Sequence, residues 1–173
     1  NYKIRVTQNA ELIFGAYTFF GSSIKFICSN KIKIGAYTRC AYESQFVDSN
    51  FHFVLNMKTG NVTRRESEIL IGKCNWIGNR TSITKGSKTK DFSIICAGSL
   101  MNKDYTQNEE NFIMLGGSPA KVLTSGLKRI FSTEIEKDII YFFNNNPKAN
   151  NYNLTSELSD DFKDIHYWFE HMM

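Results

Sequence analysis

His52 is the one histidine between Asn1 and the pair near the C-terminus, His166 and His171. A neutral imidazole, with an ordinary pKa of about 6.5, can take a proton from a hydroxyl, and such help is worth roughly 10²–10⁴ in rate. Asp48 lies four residues earlier, in the phrase Asp48-Ser49-Asn50-Phe51-His52. A carboxylate at that spacing can hold an imidazole by accepting its other N–H. The bland alternatives are a loop histidine with no chemical role and a solvated corner carboxylate. Trp76 directly precedes the apolar Ile77 and is expected to face outward, as a flat contact for a ligand or a neighbouring subunit. Lys85, Lys88 and Lys90 form a basic corner that reads first as a solvated face, and His166 and His171 read as surface or packing residues. Cys28, Cys40, Cys74 and Cys96 are far apart with no C-x-x-C pair, which argues against a zinc ribbon or a thioredoxin-like site. Free thiols in a reducing cytosol, and so a cytoplasmic protein, are expected.

The 173 residues suit one domain with a small appendage. A chain of this size buries roughly 70% of its unfolded surface and needs no disulfide or metal staple. The net charge of +4 suits a small anionic ligand and is too weak to indicate nucleic acid. No apolar run approaches the roughly 20 residues of a membrane span, and no signal-peptide pattern opens the chain. The first residue is Asn1 rather than Met, so a missing N-terminal segment is allowed for.

The elements that must position these residues are announced by a period of six. Ile71, Ile77, Ile83, Thr89, Ile95 and Met101 follow one another at that spacing, and Asn75, Thr81, Ser87, Ser93 and Ser99 fill the fifth position of each unit. Neither the helical period near 3.6 nor the strand period of 2 produces a repeat of six. A fixed short period marks a solenoid, here a parallel β-helix in which three units close one triangular coil. Stacked coils pair as parallel sheets about 4.8 Å apart. Weaker units precede this stretch, at Phe14, Phe20 and Phe26 and again at Ile34, Cys40 and Phe46. Leu12, Ile32 and Ile69 each stand two residues before such a run, as if an extra pair steps one coil up to the next. The register is lost between Phe51 and Glu68, which predicts a protruding loop over about 52–70. Beyond Met101 comes a polar excursion from Tyr105 to Asn111, then a short apolar strand at 112–115. Thr133 with Glu136 reads as a capping box opening a helix that stops before Pro147, and Ser159-Asp160-Asp161 opens a second. The expected division is a β-helix over 1–125 and a C-terminal helical cap over 126–173.

The phrase Ile69-x-Ile71-Gly72-x-x-x-Trp76-Ile77-Gly78, the run Ala97-Gly98-Ser99 before Asn102-Lys103-Asp104, and the closing Gly117-Ser118-Pro119-Ala120-Lys121 resemble the hexapeptide-repeat acyltransferases. The resemblance covers about residues 4–125 and implies a mainly β fold, a left-handed parallel β-helix with a C-terminal α-helical extension. It implies acetyl-CoA as co-substrate and no metal. His52 falls where the saccharide O-acetyltransferases of that family carry their catalytic histidine, and its spacing to Trp76 is similar to that of the polysialic acid O-acetyltransferases. Trp76 then belongs at the active-site wall, while Asn79, Ala97, Asn102, Lys103 and Lys121 match positions used for the coenzyme. The family commonly has Ser where this chain has Asn79, and Thr where it has Asn102; both asparagines keep hydrogen-bonding capacity. A saccharide or other hydroxyl acceptor and a homotrimer with sites shared between chains are further implications. Two other readings stand beside this one. A zinc enzyme of the γ-carbonic-anhydrase kind needs three converging histidines, and the repeat holds one. The other is a non-catalytic β-helix scaffold.

Overall fold

The structure is a computed structural model, and it describes residues 1–155 and 166. The first coils run through β1 (Lys3–Val6), β2 (Glu11–Phe14), β3 (Phe19–Phe20), β4 (Lys25–Cys28), β5 (Lys31–Ile34), β6 (Arg39–Cys40) and β7 (Gln45–Val47). An antiparallel hairpin of β8 (Val54–Leu55) and β9 (Val62–Thr63) then leaves the coil. Coiling resumes with β10 (Ile69–Ile71), β11 (Trp76–Ile77), β12 (Ser82–Thr84), β13 (Ile94–Ile95) and β14 (Leu100–Met101). β15 (Met114–Gly117) and β16 (Ala120–Thr124) close it as an antiparallel pair joined through a cis Ser118–Pro119 bond.

Three parallel sheets wall a prism. Face A carries β1-β4-β7-β12-β14, face B β2-β5-β10, and face C β3-β6-β11-β13-β15 with β16 at its edge. The six-residue period is the register of these sheets. Phe14 pairs with Ile34 and Ile34 with Ile71 on face B. Phe20, Cys40, Ile77, Ile95 and Leu115 stack on face C, and Phe26, Phe46, Ile83 and Met101 on face A. From the second coil onward every one of these side chains is buried. The two-residue offsets also find their place: Leu12, Ile32 and Ile69 form a second inward column, because face B has the longer strands.

Phenylalanine fills all three inward positions of one coil. The rings of Phe14, Phe20 and Phe26 meet at centroid distances of 5.0–5.2 Å, and Phe26 stacks on Phe46 at 4.8 Å. The small Cys40 above Phe20 supplies the compensating space that close packing requires. The polar fifth positions face inward at the corners, where they satisfy main-chain groups that water cannot reach. Thr38 Oγ1 donates to the Gly72 carbonyl and accepts from the Asn75 N–H, and Ser44 does the same for Gly78 and Thr81.

The fourth position of each unit is left-handed. Cys74, Arg80, Gly86, Phe92 and Gly98 have φ of 55°, 56°, 79°, 59° and 69°. Such a conformation costs a non-glycine residue about 1–2 kcal/mol. It is held here by coil-to-coil hydrogen bonds, such as Cys74 N–H to Ala36 O at 2.8 Å and Phe92 N–H to Lys73 O at 2.8 Å. The excursion at 105–111 is less irregular than its composition suggests. Tyr105 is buried in the core, its main-chain N–H donates to Lys88 O, and its hydroxyl donates to Ala120 O.

Residues Asn1–Lys128 form one compact unit, and a second begins at Arg129. The second contains α1 (Thr133–Asn145), which ends before Pro147 as expected. Its N-cap is Ser132 rather than Thr133: Ser132 keeps an extended backbone and its hydroxyl accepts from the Ile135 N–H at 3.3 Å. The helix expected from Ser159 lies outside the described residues. No helix among the described residues is long and apolar enough to cross a membrane.

Candidate active site

The coil breaks at Asp48, directly after β7, at the corner between faces A and B. Asp48 is fully buried. Its Oδ1 accepts the Ser29 N–H at 2.7 Å and its Oδ2 accepts the Asn30 N–H at 2.8 Å. The Cys28 thiol donates to the same carboxylate at 3.6 Å. Burial first, and then the adjacent charge, pushes that thiol up to about 11. The expected hydrogen bond from a His52 ring N–H to Asp48 is not among the contacts of this carboxylate, whose donors are Cys28, Ser29 and Asn30. The carboxylate is taken up by main-chain donors of the coil below, which a solvated corner residue could not achieve.

A short neck follows. Ser49 and Glu66 bridge antiparallel, the Asn50 N–H donates to Arg65 O at 2.9 Å, and the Ser67 N–H donates to Asp48 O at 3.0 Å. Phe51 turns left-handed with φ 62°, and its N–H donates to Ser49 Oγ. His52 comes next, on an arm whose residues are exposed from Asn50 to Arg64. Lys85 Nζ donates to Arg64 O at 2.7 Å and ties the returning limb to the corner of a higher coil. The Arg65 guanidinium lies 5.0 Å over the Phe53 ring. The gap in the repeat is thus a rooted hairpin that carries the histidine into solvent.

Trp76 projects from face C, 45% exposed, in register with Arg39 on one side and Ile94 on the other. The following corner, between faces C and A, holds Asn79 and Ala97 on successive coils, linked by the Gly98 N–H donating to Asn79 O at 2.9 Å. Asn79 Nδ2 donates to Tyr42 Oη at 3.0 Å, which leaves its side-chain carbonyl for a ligand. Ala97 and Gly98 are small and exposed, so the corner stays open. Lys121, exposed on β16, pairs with Gly116 beside this edge. Trp76, Asn79, Ala97 and Lys121 therefore run along one side of the prism. Main-chain groups and an ammonium in such a row fit a long amide-bearing arm that ends in phosphate.

Asn102 and Lys103 do not join that row. They follow β14 at the corner between faces A and B, on the side from which the His52 arm leaves. Lys103 Nζ lies 5.4 Å over the Tyr105 ring, and the Lys103 carbonyl accepts from Lys88 N–H. Face A thus separates two groups: His52, Asn102 and Lys103 on one side, and Asn79, Ala97, Lys121 and the Trp76 wall on the other. The basic corner is more engaged than a solvated face. Lys88 pairs with Glu68 at 2.7 Å, which raises the lysine pKa, and Lys90 donates to Glu110 O. His166 is partly buried and makes contacts within the chain. His171 lies outside the described residues.

A groove of about 340 Å³ opens elsewhere, on face B and its corner toward face C. None of the residues singled out from the sequence as catalytic or coenzyme-binding lines it. Gly35 and Gly72 are in its lining, and a Cβ at either would come within 2.5 Å of the main chain of the next coil, so these second-position glycines mark close stacking of the coils. No group of three or more His, Cys, Asp or Glu side chains is placed to hold a metal ion among the described residues.

No family model matches the chain, and no curated protein does. Solved structures do. A maltose O-acetyltransferase from Clostridium difficile 630 superposes with a TM-score of 0.58 and 26% identity, covering 72% of this chain and 63% of that one. The polysialic-acid-specific acetyltransferase NeuO gives a TM-score of 0.63 at 19% identity, covering 100% of this chain and 74% of that one. The hexapeptide-repeat-containing acetyltransferase VCA0836 from Vibrio cholerae, solved with acetyl coenzyme A, gives 0.57 at 22%, covering 72% of this chain and 64% of that one. The chain spans less than two thirds of the length of the maltose enzyme it matches. The fold is the left-handed parallel β-helix of these hexapeptide-repeat acetyltransferases, as the resemblance in the sequence implied.

Proposed function

We propose that the protein is an acetyl-CoA-dependent O-acetyltransferase that acts on a hydroxyl of a sugar or polysaccharide, with His52 as general base. The observation that carries the reading is the arm. It holds the solenoid's lone histidine exposed, with no hydrogen-bond partner among the described residues, on a fold shared with sugar acetyltransferases. Nε2 or Nδ1 of His52 takes the acceptor hydroxyl proton as the oxygen attacks the thioester carbonyl. A main-chain N–H stabilises the oxyanion. Collapse breaks the C–S bond, the sulfur leaves as the coenzyme thiolate, and the proton held by His52 passes to it. The row of Asn79, Ala97 and Lys121 of one copy, with Asn102 and Lys103 of a neighbouring copy, binds the coenzyme, and Trp76 walls the reacting end. Acetyl-CoA serves as co-substrate, and no metal enters.

The division across face A favours a homotrimer. A strand of three residues spans about 10 Å, so one copy holds the histidine arm well away from its own Trp76 wall. Apposed copies bring the arm of one to the wall of the next. The exposed Phe53, Val54, Leu55 and Met57 of the arm give it an apolar surface to bury there, and an isolated two-stranded hairpin is marginal in water without such cover. Four unpaired cysteines suit a reducing, cytoplasmic setting. The test is thiol release from acetyl-CoA across a panel of neutral and acidic saccharides, with coenzyme binding followed by calorimetry. Release with at least one saccharide is expected. Absence of acetyl-CoA binding would leave the scaffold reading, and turnover that stops on chelation would favour the zinc enzyme.

A further inference from the structure

The row that begins at Asn79 continues one coil further down the prism. At the corner between faces C and A, Ser22, Tyr42, Asn79 and Ala97 occupy the same place on successive coils. Main-chain bonds tie them in that order: Glu43 N–H to Ser22 O at 2.9 Å, Arg80 N–H to Tyr42 O at 3.1 Å and Gly98 N–H to Asn79 O at 2.9 Å. Successive places are about 4.8 Å apart. Tyr42 is 45% exposed, so its ring lies on the outside of the prism and not in the core. Its hydroxyl meets the Asn79 side chain, whose Nδ2 donates to Tyr42 Oη at 3.0 Å. The same two coils are braced beside it by Arg80 Nε on Glu43 Oε2 at 2.7 Å, so the adjacent guanidinium is already paired.

An asparagine at an open corner is an indifferent ligand on its own. Its terminal torsion is broad and two-fold, so it turns NH₂ or C=O toward the same point. A hydrogen bond made by the NH₂ end removes that choice. We propose that Tyr42 is a positioning residue for the coenzyme: its phenol oxygen holds the Asn79 amide by the nitrogen and presents Oδ1 to an N–H of the pantetheine arm. This rests on the reading of the row as the coenzyme site and adds a residue to it. The arm carries uncharged amide N–H groups, and an oriented neutral acceptor suits them. Ordering the acceptor beforehand lowers the cost of ordering it on binding. Phenylalanine at position 42 keeps the ring and loses only the hydroxyl, and a neutral hydrogen bond of this kind is worth roughly two- to tenfold in affinity. A serine hydroxyl at position 79 both donates and accepts and rotates to suit, so it gains nothing from Tyr42.

The experiment is calorimetry of acetyl-CoA binding to the intact protein and to variants at the two positions. Tyr42→Phe should bind about fivefold more weakly at an unchanged melting temperature, and Asn79→Ala about tenfold more weakly. Tyr42→Phe with Asn79→Ala should be no weaker than Asn79→Ala alone, because a residue that acts through another adds nothing once that one is gone. In an Asn79→Ser background, Tyr42→Phe should cost less than about twofold. In thiol release, KM for acetyl-CoA should rise about fivefold in Tyr42→Phe with kcat unchanged, since the contact is the same before and at the transition state. Wild-type affinity in Tyr42→Phe, losses that multiply in the double variant, or an equal loss in the serine background would each overturn the proposal. So would weaker binding that comes with a lower melting temperature, or a fall in kcat at an unchanged KM. Those outcomes leave the transferase reading standing. Wild-type protein without affinity for acetyl-CoA would fail that reading, and this inference with it.

Discussion

Cys28 and Cys40 show how far a side chain's chemistry follows from its place in the prism. Burial pushes the Cys40 thiol up to about 12, and burial together with Asp48 pushes Cys28 up to about 11, from an ordinary value of 9.0. Thiolates, not thiols, are alkylated. Native protein treated with iodoacetamide at pH 8 should therefore be modified at the partly exposed Cys96 while Cys28 and Cys40 stay intact, as peptide mass mapping will show. Both folded-state values lie above the unfolded one, so the folded state holds these protons more tightly. The stabilisation is complete below pH 9 and is lost as pH rises toward 11–12. Melting temperature should fall over that window, and more gently in Cys40→Ala. At this scale the position of His52 on an excursion from the coil was legible, because a lone histidine beside a break in a repeat stands out in the sequence. The hydrogen bonds of Asp48 were not. Its partners are the N–H groups of Ser29 and Asn30, and main-chain donors leave no mark in residue types.

Elements in this fold are held at their corners. A Cβ added at Gly72 would lie 2.5 Å from the Lys90 carbonyl carbon and 2.6 Å from the Asp91 nitrogen. Gly72→Ala should therefore cost about 1–3 kcal/mol, since main chain cannot yield as a side-chain tip can. Gly98 has φ 69° and nothing within 4 Å of such an atom. Gly98→Ala should cost only the left-handed penalty, about 1 kcal/mol. Chemical denaturation of the two variants separates these cases. Asp48→Ala strips the acceptor from two buried donors at the root of the arm and should lose about 3 kcal/mol. That corresponds to a melting temperature lower by roughly 10 °C. The period of six gave away the main inward columns, but it read Leu12, Ile32 and Ile69 as steps between coils, where they form a second inward column on face B. It could not give the left-handed fourth position, since Cys74, Arg80 and Phe92 occupy it without any shared residue type. Tyr105 was misplaced in a polar excursion because its neighbours are polar, although its own side chain fills the next core layer.

For the molecule as a whole, the division of the candidate residues across face A is what the sequence could not display. Residues close in number, such as Ala97, Asn102 and Lys103, come to rest at two different corners, because six residues turn the chain through one side of the triangle. On the proposed mechanism the arm and the Trp76 wall meet only between copies. Sedimentation should accordingly show a trimer, and Phe53→Asp on the exposed arm should weaken assembly and lower thiol release together. A monomer with full activity would contradict the shared site. The most direct test remains the base itself: thiol release from acetyl-CoA with a saccharide acceptor, compared between the wild-type protein and His52→Ala. Loss of the base should slow release by about 10²–10⁴-fold while the affinity for acetyl-CoA is retained. Release by His52→Ala at the wild-type rate would contradict the assignment of His52 as the base.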